Sequence, residues 1–207
     1  VRIAQIDIEP EELANAAPVE IGIVADAAVA VEALCKALEG RKLRVQGSGW
    51  RDVLASARQK NEAALAEVAS SQSVPINPYR LVRDIADTIG RDASISVDGE
   101  TILGICRVLL PSYHPRSRFN AGTTACVGTG VPYAVGAALA RPEHPSIAVV
   151  GDYAFGAAAM AVETAARVDA TVVFIVSNNE GIAGHLLQDY GFPPGSPRIS
   201  AMMPAHY

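Results

Sequence analysis

The chain has 207 residues, of which 50% are hydrophobic and 19% charged, and its formal net charge is −5 at neutral pH. This composition is typical of a globular protein with a buried core and excludes a disordered chain. The mild acidity and the lack of a long basic run argue against nucleic acid as a partner.

The apolar runs of the sequence are too short to cross a membrane. Those at 131–140 and 171–176 fall well short of the roughly 20 residues that a spanning helix needs. The three cysteines form no CxxC pair, which favours a reducing compartment over a disulfide framework or a zinc site. We therefore expect a cytoplasmic protein with no membrane segment.

The first part of the chain alternates short strands and helices. IAQID at 3–7 and VEIGIVA at 19–25 predict strands, EPEELA predicts a short helix between them, and an amphipathic helix then runs to Gly40. We expect residues 1–45 to close a doubly wound, Rossmann-like middle domain. Asp7, at the end of the first strand, is either a strand-end cap or a ribose-binding acid for ADP or the adenosine of CoA.

A polar helix and a linker come next. Residues 49–72 favour helix but contain few large apolar side chains, which is typical of a connecting helix, and we assign 46–76 to this connection. At Asn77, a helix cap followed by Pro78, the alternation restarts. Because the sequence starts inside a strand-like run and ends without a helix stop, we expect both ends to be internal to a longer protein.

The second part of the chain, 77–207, predicts a parallel sheet covered by helices on both faces. We therefore expect an α/β protein with doubly wound parallel sheets. Strands are predicted at 93–99, 118–122, 146–150 and 171–176, and helices at 78–90, 101–110, 128–142 and 154–168.

Polar residues follow two of these strands. Asp152 in GDYAFG follows the SIAVV strand, and Asn178 and Asn179 follow the TVVFIV strand. Because neighbouring parallel strands end at the same edge of a sheet, we expect these side chains to meet there, beside the start of a helix. Carboxylate and amide oxygens suit Mg²⁺, and a helix start suits phosphate. The pattern therefore predicts a magnesium diphosphate site.

GDYAFG and NNEG, with Asn179 27 positions after Asp152, resemble the thiamine diphosphate motif of the pyruvate decarboxylase and acetolactate synthase superfamily. The resemblance implies that thiamine diphosphate and Mg²⁺ are the cofactors, and that the metal ligands are the side chains of Asp152 and Asn179 and the main-chain carbonyl of Gly181. Tyr153 stands where the usual GDG motif has its second glycine. The residues that the resemblance places beside the cofactor also include Gly151, Tyr153, Ala154 and Ile182.

A glycine-rich segment at 120–142 resembles the cofactor-binding segment of the same superfamily. By position, Ala125 would offer its carbonyl to the aminopyrimidine and Val127 would support the bent cofactor. GTGVPY within this segment lacks the third glycine of a dinucleotide fingerprint, which disfavours a nicotinamide dehydrogenase.

The activating glutamate of the superfamily comes from a separate N-terminal domain, usually of a neighbouring subunit. The resemblance therefore implies that this glutamate lies outside the chain, so that no catalytic residue is assigned within it. It also implies a homodimer or homotetramer.

The more detailed similarity is to the branch that acts on CoA thioesters, 2-hydroxyacyl-CoA lyase and oxalyl-CoA decarboxylase. GDYAFG is close to GDSAFG, and PRSRFNAGT at 115–123 resembles PRxRxDxGT. This similarity implies a lyase that reversibly cleaves a 2-hydroxyacyl-CoA to a ketone or aldehyde and formyl-CoA. Three alternatives stay open: oxalyl-CoA decarboxylase, an acetolactate synthase-like enzyme of 2-keto acids, and a non-enzymatic interaction module that keeps the fold.

Several other side chains have both a functional and a structural interpretation. Arg116 and Arg118 either bind CoA phosphates or form structural ion pairs. Glu163 is either an acid–base group or a structural residue in mid-helix, and Glu180 is either an acid–base group or solvent-facing. The family builds its substrate lid after the magnesium loop. The residues of interest in that stretch are Ala183, where the CoA branch often has tyrosine, and His185, Tyr190 and His206.

Overall fold

The computed structural model describes residues 2–42 and 49–182. The chain divides into two compact units, residues 1–54 and 55–207. Both units contain parallel strands flanked by helices, so the predicted α/β class is confirmed. The assignment of 1–45 to the end of a middle domain and of 46–76 to a connection stays a prediction.

The first unit is built on a pair of parallel strands. Their register runs from Ala4 opposite Ile21 to Asp7 opposite Val24. The carboxylate of Asp26 starts the following helix, because it accepts a hydrogen bond from Ala28 N over 2.8 Å. The stretch predicted as a short helix forms only a 3₁₀ turn, Pro10–Glu12. The elements are β1 (Ala4–Asp7), β2 (Ile21–Val24), α1 (Ala27–Leu38) and the start of α2 (Trp50–Ala69).

Over residues 55–182, the second unit is organised around a parallel sheet of four strands in the order β4-β3-β5-β6. The chain leaves β3 towards β4 on one side and then crosses back to place β5 on the other side. This change of direction makes a crevice between the carboxyl ends of β3 and β5, where ligands of such sheets bind. The strands are β3 (Ser94–Asp98), β4 (Arg118–Phe119), β5 (Ser146–Gly151) and β6 (Val172–Ser177).

Among the residues that the structure describes, five helices cover the two faces of this sheet. The side chains of β5 alternate between two cores: Ile147 and Val149 pack on one face, Ala148 and Val150 on the other. The first core receives α3 and α4, and the second receives α5, α6 and α7. The helices are α3 (Pro78–Thr88), α4 (Glu100–Leu109), α5 (Gly130–Ala140), α6 (Asp152–Ala158) and α7 (Ala161–Arg167).

The stretch predicted as one helix over 154–168 forms two helices of seven residues each, α6 and α7. At the junction, Val162 N donates to Ala159 O over 3.0 Å, which is a bond between residues three apart and interrupts the α-helical ladder. Phe155 and Val162 nevertheless pack on the same core. The apolar spacing therefore stays helical across the break, which is why the sequence pattern does not reveal it.

Candidate functional site

A cavity of about 360 Å³ lies at the carboxyl ends of β3, β5 and β6. It occupies the crevice between β3 and β5 where the strand order changes direction. Its lining comes from the first residue of α3, the β3–α4 turn, the glycine-rich segment before α5, the β5–α6 turn, and the end of β6 with the loop after it. The described lining residues are Pro78, Gly99, Glu100, Thr101, Ile102, Val127, Gly151, Asp152, Tyr153, Ala154, Ser177, Asn179, Gly181 and Ile182.

Asp152 and Asn179 meet in this cavity, as the sequence predicts. Asp152 is the first residue of α6 and is only 2% exposed. The side-chain oxygen of Asn179 faces two other oxygens, Asp152 Oδ1 at 3.1 Å and Gly181 O at 2.8 Å. The second carboxylate oxygen, Asp152 Oδ2, accepts a hydrogen bond from Gly181 N over 3.1 Å. The carboxylate, the amide and the carbonyl therefore form one cluster.

This cluster has two chemically reasonable states, which differ by a half turn of the Asn179 amide. With nitrogen turned inward, the amide donates to Asp152 Oδ1 and to Gly181 O, over 3.1 and 2.8 Å. With oxygen inward, three oxygens converge and require a cation between them. Neighbouring ligands of an octahedral Mg²⁺ lie about 2.9 Å apart, since each Mg–O bond is about 2.05 Å. The donor set therefore fits Mg²⁺.

The loop after β6 is shaped so that the Gly181 carbonyl can take part. Asn178 Oδ1 accepts a hydrogen bond from Glu180 N over 3.0 Å, which makes a tight turn directly after the strand. Glu180 has a left-handed backbone with φ of 56°. Because of this turn, the chain doubles back towards Asp152 within four residues of the end of β6.

A buried acid that the sequence analysis did not single out organises the opposite wall of the cavity. Asp98, the last residue of β3, is 5% exposed, and its Oδ2 accepts hydrogen bonds from Gly128 N and Gly130 N, each over 2.8 Å. Its Oδ1 accepts from Gly99 N over 2.7 Å. The carboxylate thus fixes Gly128, which directly follows the cavity residue Val127, and Gly130, the first residue of α5. A buried strand ending in an acid was the only signal in the sequence.

Glycines allow the backbone segments around the cavity to approach closely. A Cβ on Gly130 would lie 2.6 Å from Asp98 Cβ and 2.7 Å from Val150 Cγ1, so no larger residue fits there without a shift. Gly99 has φ of 95°, and a Cβ on it would lie 3.1 Å from Gly151 N. The turns after β3 and β5 therefore pack directly against each other.

Eight of the nine residues that the sequence analysis placed beside the cofactor line this cavity, and Ala125 is the exception among them. Ala125 ends the 3₁₀ turn Gly122–Thr124 in a left-handed conformation with φ of 50°. Its role towards the aminopyrimidine stays a prediction. Tyr153 occupies the position of the second motif glycine with an ordinary helical backbone and is 43% exposed. The sites at Ala183, His185, Tyr190 and His206 lie outside the described residues.

Arg118 has a structural role. Its guanidinium donates to Cys106 O over 2.5 Å and to Leu110 O, which satisfies carbonyl groups at the end of α4. Burial lowers the pKa of this guanidinium, and burial raises the pKa of the Cys106 thiol to about 12. The Arg118 guanidinium is therefore occupied by backbone carbonyl groups of α4. Arg116 is exposed, and its own backbone is left-handed, with φ of 61°.

The other acidic candidates are not among the described residues that line the cavity. Asp7 Oδ1 accepts a hydrogen bond from Glu9 N over 3.1 Å, which fits the interpretation as a strand-end cap. Glu163 Oε1 pairs with Arg167 Nε over 3.1 Å on exposed helix surface. Glu180 is exposed and contributes its backbone to the turn after β6.

Within residues 2–42 and 49–182, no group of three or more His, Cys, Asp or Glu side chains could hold a metal ion. The magnesium candidate above differs in kind, since its three donors are one carboxylate, one amide and one carbonyl. Over the same residues, no helix has both the length and the apolar character needed to span a membrane.

Comparisons with known proteins show which families the chain resembles. The family model of the thiamine pyrophosphate enzyme C-terminal TPP-binding domain matches residues 102–189. Human 2-hydroxyacyl-CoA lyase 1 is 33% identical over 187 residues, which are 88% of this chain and 32% of the human protein. Oxalyl-CoA decarboxylase of Escherichia coli K12 is 30% identical over 180 residues, 86% of this chain and 32% of that protein.

A solved structure supports the fold. The crystal structure of a candidate thiamin diphosphate-dependent enzyme from Mycobacterium smegmatis matches with a TM-score of 0.68 at 23% sequence identity. The match covers 99% of this chain and 36% of that one. The chain thus spans about a third of the length of the relatives that it matches.

Proposed function

We propose that the full-length protein is a carbon–carbon lyase of 2-hydroxyacyl-CoA within the thiamine pyrophosphate-dependent enzymes, whose C-terminal TPP-binding domain model matches residues 102–189. The proposed products are formyl-CoA and a ketone or aldehyde. In this proposal the chain supplies the diphosphate and Mg²⁺ half of the site. The activating glutamate comes from another domain, and the working form is an oligomer.

The observation that carries the proposal is the convergence of Asp152, Asn179 and Gly181 at the carboxyl edge of the sheet, with donor atoms 2.8 and 3.1 Å apart. These residues would hold Mg²⁺, and the metal would in turn bind diphosphate oxygens. The backbone N–H groups at the starts of α4 and α6, which line the same cavity, are suited to the same anion.

Thiamine diphosphate, when bound, supplies a nucleophilic carbon and an electron sink for carbon–carbon bond cleavage. The residues of this chain contribute binding and orientation. Val127 is half exposed on the cavity wall, where it offers an apolar surface to the cofactor, and the hydrogen bonds of Asp98 hold the neighbouring Gly128 in place. Tyr153 and Ile182, both partly exposed, give the mouth of the cavity an amphipathic rim.

Removal of the Asp152 carboxylate tests the site. In the full-length protein we expect Asp152→Ala to weaken Mg²⁺-dependent binding of thiamine diphosphate by at least about 100-fold, measured by isothermal titration calorimetry. Asn179→Ala, which deletes a less buried ligand, should also weaken it. Asp87→Ala is the matched control, because Asp87 is a 73% exposed acid on α3 outside the cavity. Wild-type affinity in a folded Asp152→Ala protein would contradict the site.

A second candidate reaction is the decarboxylation of oxalyl-CoA. It is supported by the E. coli oxalyl-CoA decarboxylase, which matches nearly the same share of the chain as the human lyase, 86% against 88%, at 30% against 33% identity. Product analysis by mass spectrometry separates the two. A ketone or aldehyde with formyl-CoA from a 2-hydroxyacyl-CoA supports the lyase, whereas CO₂ and formyl-CoA from oxalyl-CoA alone would replace it with the decarboxylase.

A further inference from the structure

The side-chain amide of Asn179 carries a donor as well as an acceptor, and a metal ligand uses only the acceptor. When the amide is turned by half, its NH₂ group donates to Asp152 Oδ1 over 3.1 Å and to Gly181 O over 2.8 Å. These two oxygens are the other donors of the magnesium candidate. One side chain is therefore placed to join them in two ways, through a shared cation or through its own N–H groups.

Contacts that involve neither the Asn179 amide nor a cation hold the rest of the cluster. Asp152 is 2% exposed at the start of α6, and its Oδ2 accepts a hydrogen bond from Gly181 N over 3.1 Å. The turn after β6 is closed by Asn178 Oδ1, which accepts from Glu180 N over 3.0 Å. Exchange between the two states therefore needs only rotation of the terminal amide, a torsion with two broad minima.

We propose that Asn179 acts as an internal substitute for the cation: its NH₂ group closes the cluster when no divalent ion is bound, and its amide oxygen takes over when Mg²⁺ binds. This inference rests on the proposed function, since it takes the cluster to be the magnesium site. It adds to a ligand role because it gives the side chain a second task in the metal-free protein. An ion that enters alone replaces two hydrogen bonds, so tight binding needs the further oxygens of the diphosphate.

This role requires an amide and not a carboxylate. An aspartate in place of Asn179 would present only acceptors to Asp152 Oδ1 and Gly181 O, at separations of 3.1 and 2.8 Å. Two carboxylates at that distance repel each other unless a cation lies between them. The aspartate would therefore bind the ion more tightly and hold the metal-free loop less well. Because Asn179 is exposed, water and salt screen part of the repulsion.

The decisive test is hydrogen exchange of the full-length protein in EDTA, followed by mass spectrometry of peptides that cover residues 177–182. Asn179→Asp should exchange at least about threefold faster than the wild type in these peptides, because the donor that links the loop to Asp152 is lost. Asn179→Ala removes the donor without adding charge and should fall between the two. Addition of Mg²⁺ should remove most of the difference between Asn179→Asp and the wild type.

Asn61→Asp is the matched control, since it makes the same chemical change on the exposed surface of α2. It should exchange like the wild type in residues 177–182, with and without Mg²⁺.

Calorimetry with MgCl₂ alone gives a second measurement. Asn179→Asp should tighten binding of Mg²⁺ alone at least about tenfold, whereas Asn61→Asp should leave it unchanged. Faster exchange in EDTA together with tighter Mg²⁺ binding supports the inference. Wild-type exchange in EDTA in both Asn179 variants would overturn it, whatever their affinity for Mg²⁺, and would leave Asn179 a ligand only. The proposed function itself would fail if the wild-type protein bound no thiamine diphosphate at any Mg²⁺ concentration.

Discussion

At the scale of single residues, the carboxylate of Asp98 determines how the glycine-rich wall of the cavity is held. Its oxygens accept from Gly99 N, Gly128 N and Gly130 N at 2.7 to 2.8 Å. Asp98→Asn replaces one acceptor oxygen with a donor, so at least one of these buried N–H groups loses its partner. We expect a loss of about 1–3 kcal/mol in the free energy of unfolding, measured by urea denaturation.

A positioning role for Asp98 also predicts a change in ligand binding. Affinity for Mg²⁺ and thiamine diphosphate should fall in Asp98→Asn at temperatures where the variant is fully folded, because Val127 and Gly128 are no longer fixed. Ser96→Ala is the control on the same strand. Within the described residues Ser96 Oγ is buried without a hydrogen-bond partner, so its removal should leave stability unchanged or raised. Wild-type affinity in folded Asp98→Asn would leave Asp98 a purely structural residue.

The polar residues of the site differ in how far the sequence reveals their positions. Asp152 and Asn179 could be predicted, because each follows an apolar strand and parallel strands end at a common edge. Asp98 could not, because its partners are backbone N–H groups 30 and 32 residues further along the chain. No side-chain pattern records a hydrogen bond to a glycine.

At the scale of an element, α5 contains two glycines with opposite expected responses to alanine. A Cβ on Gly130 would lie 2.6 Å from Asp98 Cβ and 2.7 Å from Val150 Cγ1, whereas Gly136 has nothing within 4 Å. We expect Gly130→Ala to lower the free energy of unfolding by about 1–3 kcal/mol. Gly136→Ala should raise it by about 0.5–1 kcal/mol, since alanine is the better helix former.

Thermal and urea unfolding of the two variants checks this difference, and the pair controls for composition because each variant makes the same substitution in the same helix. Gly130→Ala should also weaken cofactor binding, because the shift it forces lies beside Asp98. Equal stabilities in the two variants would mean that the backbone at the start of α5 shifts at little energetic cost to accommodate the added methyl group.

The helices show what local patterns can and cannot determine. The Asn77-Pro78 start of α3 was predictable, and Asn77 Oδ1 accepts from Tyr79 N over 2.9 Å as a cap does. The break between α6 and α7 was not, because residues 154–168 keep a helical apolar spacing and are rich in alanine. The strand order was not predictable either, because no local sequence pattern determines on which side of β3 the strand β4 pairs.

At the scale of the whole molecule, the proposed ligand site joins four segments that are distant in sequence. Residues 98–102, 127–130, 151–154 and 179–182 meet only because β3, β5 and β6 are adjacent and parallel. A ligand bound there stabilises all four segments together, by about 2.7 kcal/mol at a free concentration of 100 times its Kd. Their amide protection should therefore rise as a group.

Hydrogen exchange of the full-length protein, followed by mass spectrometry, measures this coupling. With thiamine diphosphate and Mg²⁺ we expect slower exchange in peptides that cover these four segments, and no change in peptides from residues 2–42, which contribute nothing to the cavity lining. With EDTA and thiamine diphosphate the protection should largely disappear, because the Asp152 cluster needs the cation to hold the diphosphate. Protection that appeared only around 151–154 and 179–182 would show a metal site without a cofactor cavity. Protection spread evenly over the chain would instead indicate global stabilisation and would contradict a site assembled by the β3–β5 crevice.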